Sequence, residues 1–130
     1  MDSLTLLALN ALLTAVLWVP YVLNRFLKVG VWTSIGNPTE ADLAKQSDWA
    51  KRARSAHANA VENLVVFGAL VLVAAELEVA PEVVATAALV HLVARGLHYV
   101  LAAAAVPALR TVAFLAGFGA QVTVALAIIL

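Results

Sequence analysis

Arg52, Ser55, Asn59 and Glu62 follow one another at intervals of three, four and three residues. On a helix that turns about 100° per residue, such intervals put an arginine, a hydroxyl, an amide and a carboxylate along one stripe. Arg54 and His57 of the same stretch point elsewhere. The same spacing groups His91, Arg95, His98 and Ala102 further along, and then Arg110, Thr111 and Phe114, with Gln121 two turns beyond. Arginines and amides recognise carboxylates, and a carboxylate suits an ammonium, so the set fits a small zwitterionic ligand with more than one carboxylate. The histidines lack metal-ligand spacing and no HxxxH pair exists, so no metal site is expected. Phosphate-binding glycine loops and serine-nucleophile motifs are also missing. A simpler reading pairs Arg95 with Glu62 as an intramembrane ion pair, leaves Lys51 and Arg54 among lipid headgroups, and makes His91 a buried, hydrogen-bonded packing residue.

The elements that must position these groups are membrane helices. Of the 130 residues, 64% are hydrophobic and 12% charged, and the mean hydropathy is +0.97. An average soluble domain has about 25% charged residues. The formal net charge of zero offers no basic surface for nucleic acid, and with no cysteine the chain cannot supply a thiol itself. Four long apolar runs predict a single domain over residues 1–130, an all-α up-down bundle with helices at about 4–27, 48–77, 82–105 and 107–130. Pro20 is expected to kink the first helix, Trp18 and Tyr21 to lie near an interface, and residues 28–47 to form the one substantial loop. Ser47 or Asp48 is expected to cap helix two. Basic residues lie around the first loop (Arg25, Lys28, Lys45, Lys51, Arg52, Arg54) and flank the third (Arg95, Arg110), whereas the 76–82 connection carries only Glu76, Glu78 and Glu82. The positive-inside rule therefore puts loops one and three in the cytoplasm and both termini outside.

The stretch "RSAHANAVEN", residues 54–63, resembles the signature of the MAPEG superfamily, the membrane-associated proteins in eicosanoid and glutathione metabolism. In that family R-A-x-x-N-x-x-E opens the second of four transmembrane helices, and "ARGLHYVLAAAAVPALRTVAF", residues 94–114, resembles its second block. The resemblance implies a bacterial-type member in the plasma membrane, assembled as a homotrimer with glutathione held between subunits. It implies a glutathione transferase or peroxidase acting on lipophilic electrophiles, with lipid and a lipophilic small molecule as its other partners. Carried over to this sequence, it gives glutathione contacts to Arg52, His57, Asn59, Glu62, Arg95, His98 and Thr111, and makes Arg110 the residue that activates the thiol. The family's first-helix arginine from a neighbouring subunit corresponds to Arg25 or Lys28. Independently of the family, a fixed cation favours the thiolate of a thiol whose pKa is otherwise about 8.5, and a helix start at Pro107 adds its positive dipole end near Arg110. The chain departs from the pattern at Ser55, where the signature has arginine, at Ala58, Ala102 and Phe114, and by one residue in the Arg95 to Arg110 spacing; Arg52 is placed to compensate for Ser55. These departures support an alternative, a non-catalytic membrane protein that keeps the fold for lipid or small-anion binding. A small transporter is a further reading, although the helix pairs show no inverted repeat.

Overall fold

A computed structural model describes all 130 residues, and they form helices and short turns without strands. The first crossing is two helices, α1 (Ser3–Val16) and α2 (Trp18–Val29), which meet at Leu17. Pro20 has no N–H to give to the carbonyl of Val16, and its ring crowds that carbonyl. The break therefore falls three residues before the proline, where the Tyr99 hydroxyl donates to Leu17 O at 2.8 Å. The single run expected over 4–27 is thus interrupted, and it extends to Val29. Gly30, at φ 95°, turns the chain in a region that side chains avoid.

Two short helices, α3 (Val31–Ile35) and α4 (Glu40–Ala44), occupy the segment expected as loop. A capping box starts α4: Thr39 Oγ1 accepts from Asp42 N at 3.2 Å, and Thr39 N donates to Asp42 Oδ2 at 3.1 Å. The Thr39 backbone bond, followed by the Lys45 and Thr39 side chains, holds the Asp42 carboxyl below its usual value of 3.8. A depressed carboxylate contributes stability above its unfolded pKa and loses it as pH falls through the lower folded value. Acid is therefore expected to open the α4 start with a midpoint below 3.8, read from the Thr39 amide resonance; a midpoint at or above 3.8 would mean that the box does not hold in solution.

The loop is tied to α2 at its far end. Asn24 Nδ2 donates to Ser47 Oγ at 2.9 Å and Ser47 N to Asn24 Oδ1 at 3.0 Å, while Gln46 Nε2 donates to Tyr21 O at 2.9 Å. Ser47 is the N-cap of α5 (Asp48–Glu76), but its hydroxyl serves Asn24 and not the helix end. Helices α6 (Pro81–Ala103) and α7 (Pro107–Ile129) follow. Both connections close alike. Val79 N bonds Ala74 O and Val106 N bonds Leu101 O, with Glu78 and Ala105 at positive φ, and a proline then opens the next helix.

Ser3–Val29, Asp48–Glu76, Pro81–Ala103 and Pro107–Ile129 are each long and apolar enough to cross a membrane. Together they form an all-α, four-crossing up-down bundle in which α6 packs most extensively against α7. Large apolar side chains such as Leu72, Val100, Val112 and Leu115 face outward, as a lipid surroundings requires. Inside, one core cluster holds Leu6, Phe67, Val71, Val84 and Val124. The other packs the small residues Ala50, Ala53, Ala56 and Ala60, which let backbones approach closely, against Leu17, Tyr21 and Tyr99. Between the two, in the order of the residues along each helix, lie Asn10, Asn63, His91 and Arg95.

Candidate functional site

The short Ala104–Val106 turn brings the C-terminal end of α6 beside the N-terminal end of α7, and the first turns of α5 close against both. Arg52, Ser55, Ala56, Asn59, His98, Ala102 and Arg110 line a cavity of about 250 Å³ there. No acidic residue lines it.

Each polar side chain that lines this cavity can donate. Arg52 spends part of its guanidinium on the last carbonyls of α6: Nε donates to Ala102 O and Ala103 O at 3.2 Å, and Nη2 to Ala103 O at 2.9 Å. Ala102 O accepts otherwise only from Ala105 N of the turn, at 3.1 Å, and Ala103 O from no backbone N–H, so the cation answers the negative end of the helix. Its Nη1 has no partner in the chain. The Arg110 guanidinium forms no hydrogen bond or ion pair within the chain, and it projects from the first turn of α7. It is the cation most available to an anion. His98 is buried, its ring inclined to that of Phe114 at 6.0 Å.

Arg95 lies behind this surface with 2% of its area exposed. Nη1 donates to Asn59 Oδ1 at 3.1 Å, Nη2 donates to Phe114 O at 3.1 Å, and the guanidinium carbon stands 5.3 Å from the Phe114 ring centre. No carboxylate comes within 4.0 Å, so dipoles and a π face are all that answer the charge. Since arginine can only donate, the oxygen of the Asn59 amide must face it, and the Nδ2 donor of this cavity-lining residue is left without a partner in the chain.

The sequence-derived set is thus divided. Arg52, Asn59, His98 and Arg110 share the cavity, and Arg95 holds Asn59 from behind. His57 stands apart, its Nδ1 2.8 Å from the Tyr21 hydroxyl, where it joins α5 to α2. Thr111 is exposed, and its hydroxyl donates to Pro107 O at 2.9 Å. Glu62 is exposed on α5, with no cation within 4.0 Å. The Arg95–Glu62 ion pair of the simpler reading is not formed. Asn59 takes Glu62's place because it faces α6 directly, whereas Glu62 is about 60° further round the helix. Of the two basic residues assigned to headgroups, Lys51 donates to Ala44 O at 2.9 Å and Arg54 is exposed. His91 is a buried packing residue: Nδ1 lies 2.7 Å from Asn10 Oδ1, and the ring stacks on Phe67.

Asn63 escaped the sequence reading. Its Nδ2 donates to Asn59 O at 2.8 Å, and its Oδ1 accepts from Gln121 Nε2 at 2.9 Å, which ties α5 to α7 beneath the cavity. An amide one turn past Asn59 in an apolar run was the signal, since membrane interiors rarely leave such a group alone.

Among curated proteins and solved structures, nothing matches the chain. A family model described as the MAPEG family does match, over residues 3–130. With essentially the whole chain covered, this four-crossing membrane protein belongs to the MAPEG family.

Proposed function

We propose that the chain is a glutathione-dependent transferase or peroxidase for lipophilic electrophiles. The observation that carries this reading is the cavity's donor set, Arg52, Asn59, His98 and Arg110 without a lining carboxylate. Such a set fits the carboxylates and sulfur of the tripeptide. Glu62, exposed one turn along α5 from Asn59, suits its ammonium group at the rim. Glutathione, when bound, supplies the nucleophilic sulfur that a chain without cysteine lacks.

Arg110 holds a positive charge at the start of α7, where the helix dipole adds to it, and so favours the ionised over the protonated thiol. Asn59 Nδ2 and Arg52 Nη1 orient carboxylate oxygens, and His98 closes the inner wall. A groove of about 640 Å³, lined only by apolar residues of α6 and α7, includes Leu109 and Val112 on either side of Arg110. It gives a lipophilic co-substrate a route to the same helix turn.

The assembly is a homotrimer in this reading, with Arg25 or Lys28 of a neighbouring copy completing the site. Glu62, which lies mid-span on a helix whose other carboxylates, Asp48 and Glu76, are at its two ends, supports a second surface at that face. The basic residues around loops one and three put those loops in the cytoplasm and the termini outside. His57 and Thr111 remain in the proposed contact set through the family pattern, at the edge of the site.

Detergent-solubilised protein is expected to bind glutathione saturably and to show thiolate absorbance near neutral pH. Arg110→Ala is expected to raise the bound thiol's pKa by about one unit or more, a tenfold loss of thiolate per unit, with assembly unchanged. No binding at millimolar glutathione would overturn the reading. Binding with neither thiolate nor turnover would favour the second reading, anion binding without catalysis, for which Ser55 and Ala102 in the cavity wall speak.

A further inference from the structure

Helix α7 passes the buried Arg95 guanidinium at Gly117. A Cβ placed on Gly117 would lie 2.8 Å from both Cζ and Nε of Arg95, and closer still to Nη2. That is inside any distance that carbon atoms tolerate without movement. Gly117 is itself buried and its φ is not positive, so its backbone conformation does not call for glycine. Gly119, two residues on, has nothing within 4 Å of its would-be Cβ. What is special at position 117 is the flat cation lying on the helix backbone.

We infer that Gly117 is a positioning residue: by lacking a side chain it seats the Arg95 guanidinium against α7, and through Arg95 it holds Asn59 as a hydrogen-bond donor to the cavity. The seat defines both of Arg95's bonds. With the plane against α7, Nη2 reaches Phe114 O and Nη1 reaches Asn59 Oδ1, both at 3.1 Å. The second bond consumes the amide's acceptor and leaves its donor for a ligand. A methyl group at position 117 would push the guanidinium off α7, break the Phe114 bond and free the Asn59 amide to rotate. A cavity lined by two guanidiniums and a fixed amide donor favours carboxylate and thiolate groups. One with a freely rotating amide loses a fixed donor and offers an acceptor in its place. The glutathione preference rests on the function proposed above, whereas the seat and the amide orientation do not.

The test is a double-mutant cycle on the full chain in detergent, with Gly117→Ala, Arg95→Ala, the double variant, and Gly119→Ala as control. Three readouts are taken: the thermal midpoint, the Asn59 side-chain amide resonances, and calorimetric affinity for glutathione. Gly117→Ala is expected to lower the midpoint, to move the two Asn59 Nδ2 proton resonances toward the shifts of a solvated, unbonded asparagine, and to weaken glutathione about tenfold. Gly119→Ala is expected to leave the amide signals and the affinity unchanged and to raise the midpoint slightly, since alanine favours a helix interior over glycine. In the Arg95→Ala background, Gly117→Ala should lose its destabilising effect and keep only the small gain of alanine over glycine in a helix, because the cation it would displace is gone. If Gly117→Ala alone fails to fold, the double variant is expected to recover folding, and its failure to do so would overturn the inference. Equal effects of Gly117→Ala with and without Arg95, or unchanged Asn59 signals in Gly117→Ala, would overturn it as well. A wild-type chain that binds no glutathione would end the functional reading, while the midpoint and the amide signals would still decide the seat.

Discussion

Asn59→Asp is expected to raise the thermal midpoint of the protein while nearly abolishing its affinity for glutathione. Arg95 is 98% buried by area yet meets no carboxylate, because its two bonds go to the neutral acceptors Asn59 Oδ1 and Phe114 O. A carboxylate in the place of the amide turns the 3.1 Å bond into a charge-assisted one, about twice as strong, and gives the buried cation a counter-ion. On the cavity side the substitution acts in the opposite direction. The Nδ2 donor becomes an oxygen that can only accept, set against an anionic ligand. Two like charges about 4 Å apart at an effective dielectric of about 20 repel by about 4 kcal/mol. Even half of that, after screening by Arg110, is a loss of more than about tenfold. Calorimetry and thermal unfolding on one preparation separate the two effects. A higher midpoint with undiminished affinity would remove Asn59 from the ligand site, and a lower midpoint would show that Arg95 has no need of a counter-ion.

That opposition follows from which neighbour Arg95 meets, and only the fold decides this. The four crossings are legible because the charged residues gather at the breaks, and because prolines at 81 and 107 mark helix starts. The break at Leu17 is less legible, since Pro20 acts through the carbonyl four residues before it. The start of α4 was written as a capping box, Thr39 followed three residues later by Asp42, but within a segment whose glycines and proline suggest only turns. In the site, the three-four spacing placed Arg52, Ser55 and Asn59 on one wall correctly. It extended that wall too far. Glu62 stands ten residues from Arg52, about 80° round the helix, so it faces outward while Asn63 turns to Gln121. The bonds of Arg52 to Ala102 O and Ala103 O, and the need for Gly117, depend on how closely helices approach. A helical wheel holds no such distance.

The pair Asn10 and His91 puts the same logic of donors and acceptors to a second test, away from the cavity. Asn10 Nδ2 donates to Leu6 O at 2.8 Å and to Ala88 O at 3.1 Å, so its Oδ1 must be the acceptor for His91 Nδ1 at 2.7 Å. His91 therefore carries its proton on Nδ1, and Nε2 is a buried acceptor without a partner. Asn10→Leu is expected to destabilise the chain by about 1–3 kcal/mol, because it strands the Nδ1 donor beside an already unpaired Nε2. His91→Phe strands Asn10 Oδ1 but removes the orphan nitrogen, and a phenyl ring can keep the stack on Phe67, now at 4.0 Å and 4° between planes. Asn10→Leu combined with His91→Phe replaces both partners by apolar groups, which is expected to be neutral or stabilising. Unfolding midpoints of the two single variants and the double should thus be strongly non-additive. Simple additivity would mean that the bond does not couple α1 to α6. Glutathione affinity is expected to be unchanged in the double variant, because the bonds of Arg95 to Asn59 and Phe114 are untouched. A stable double variant with weakened affinity would instead make His91, one turn from Arg95 on α6, part of what holds the guanidinium on Gly117.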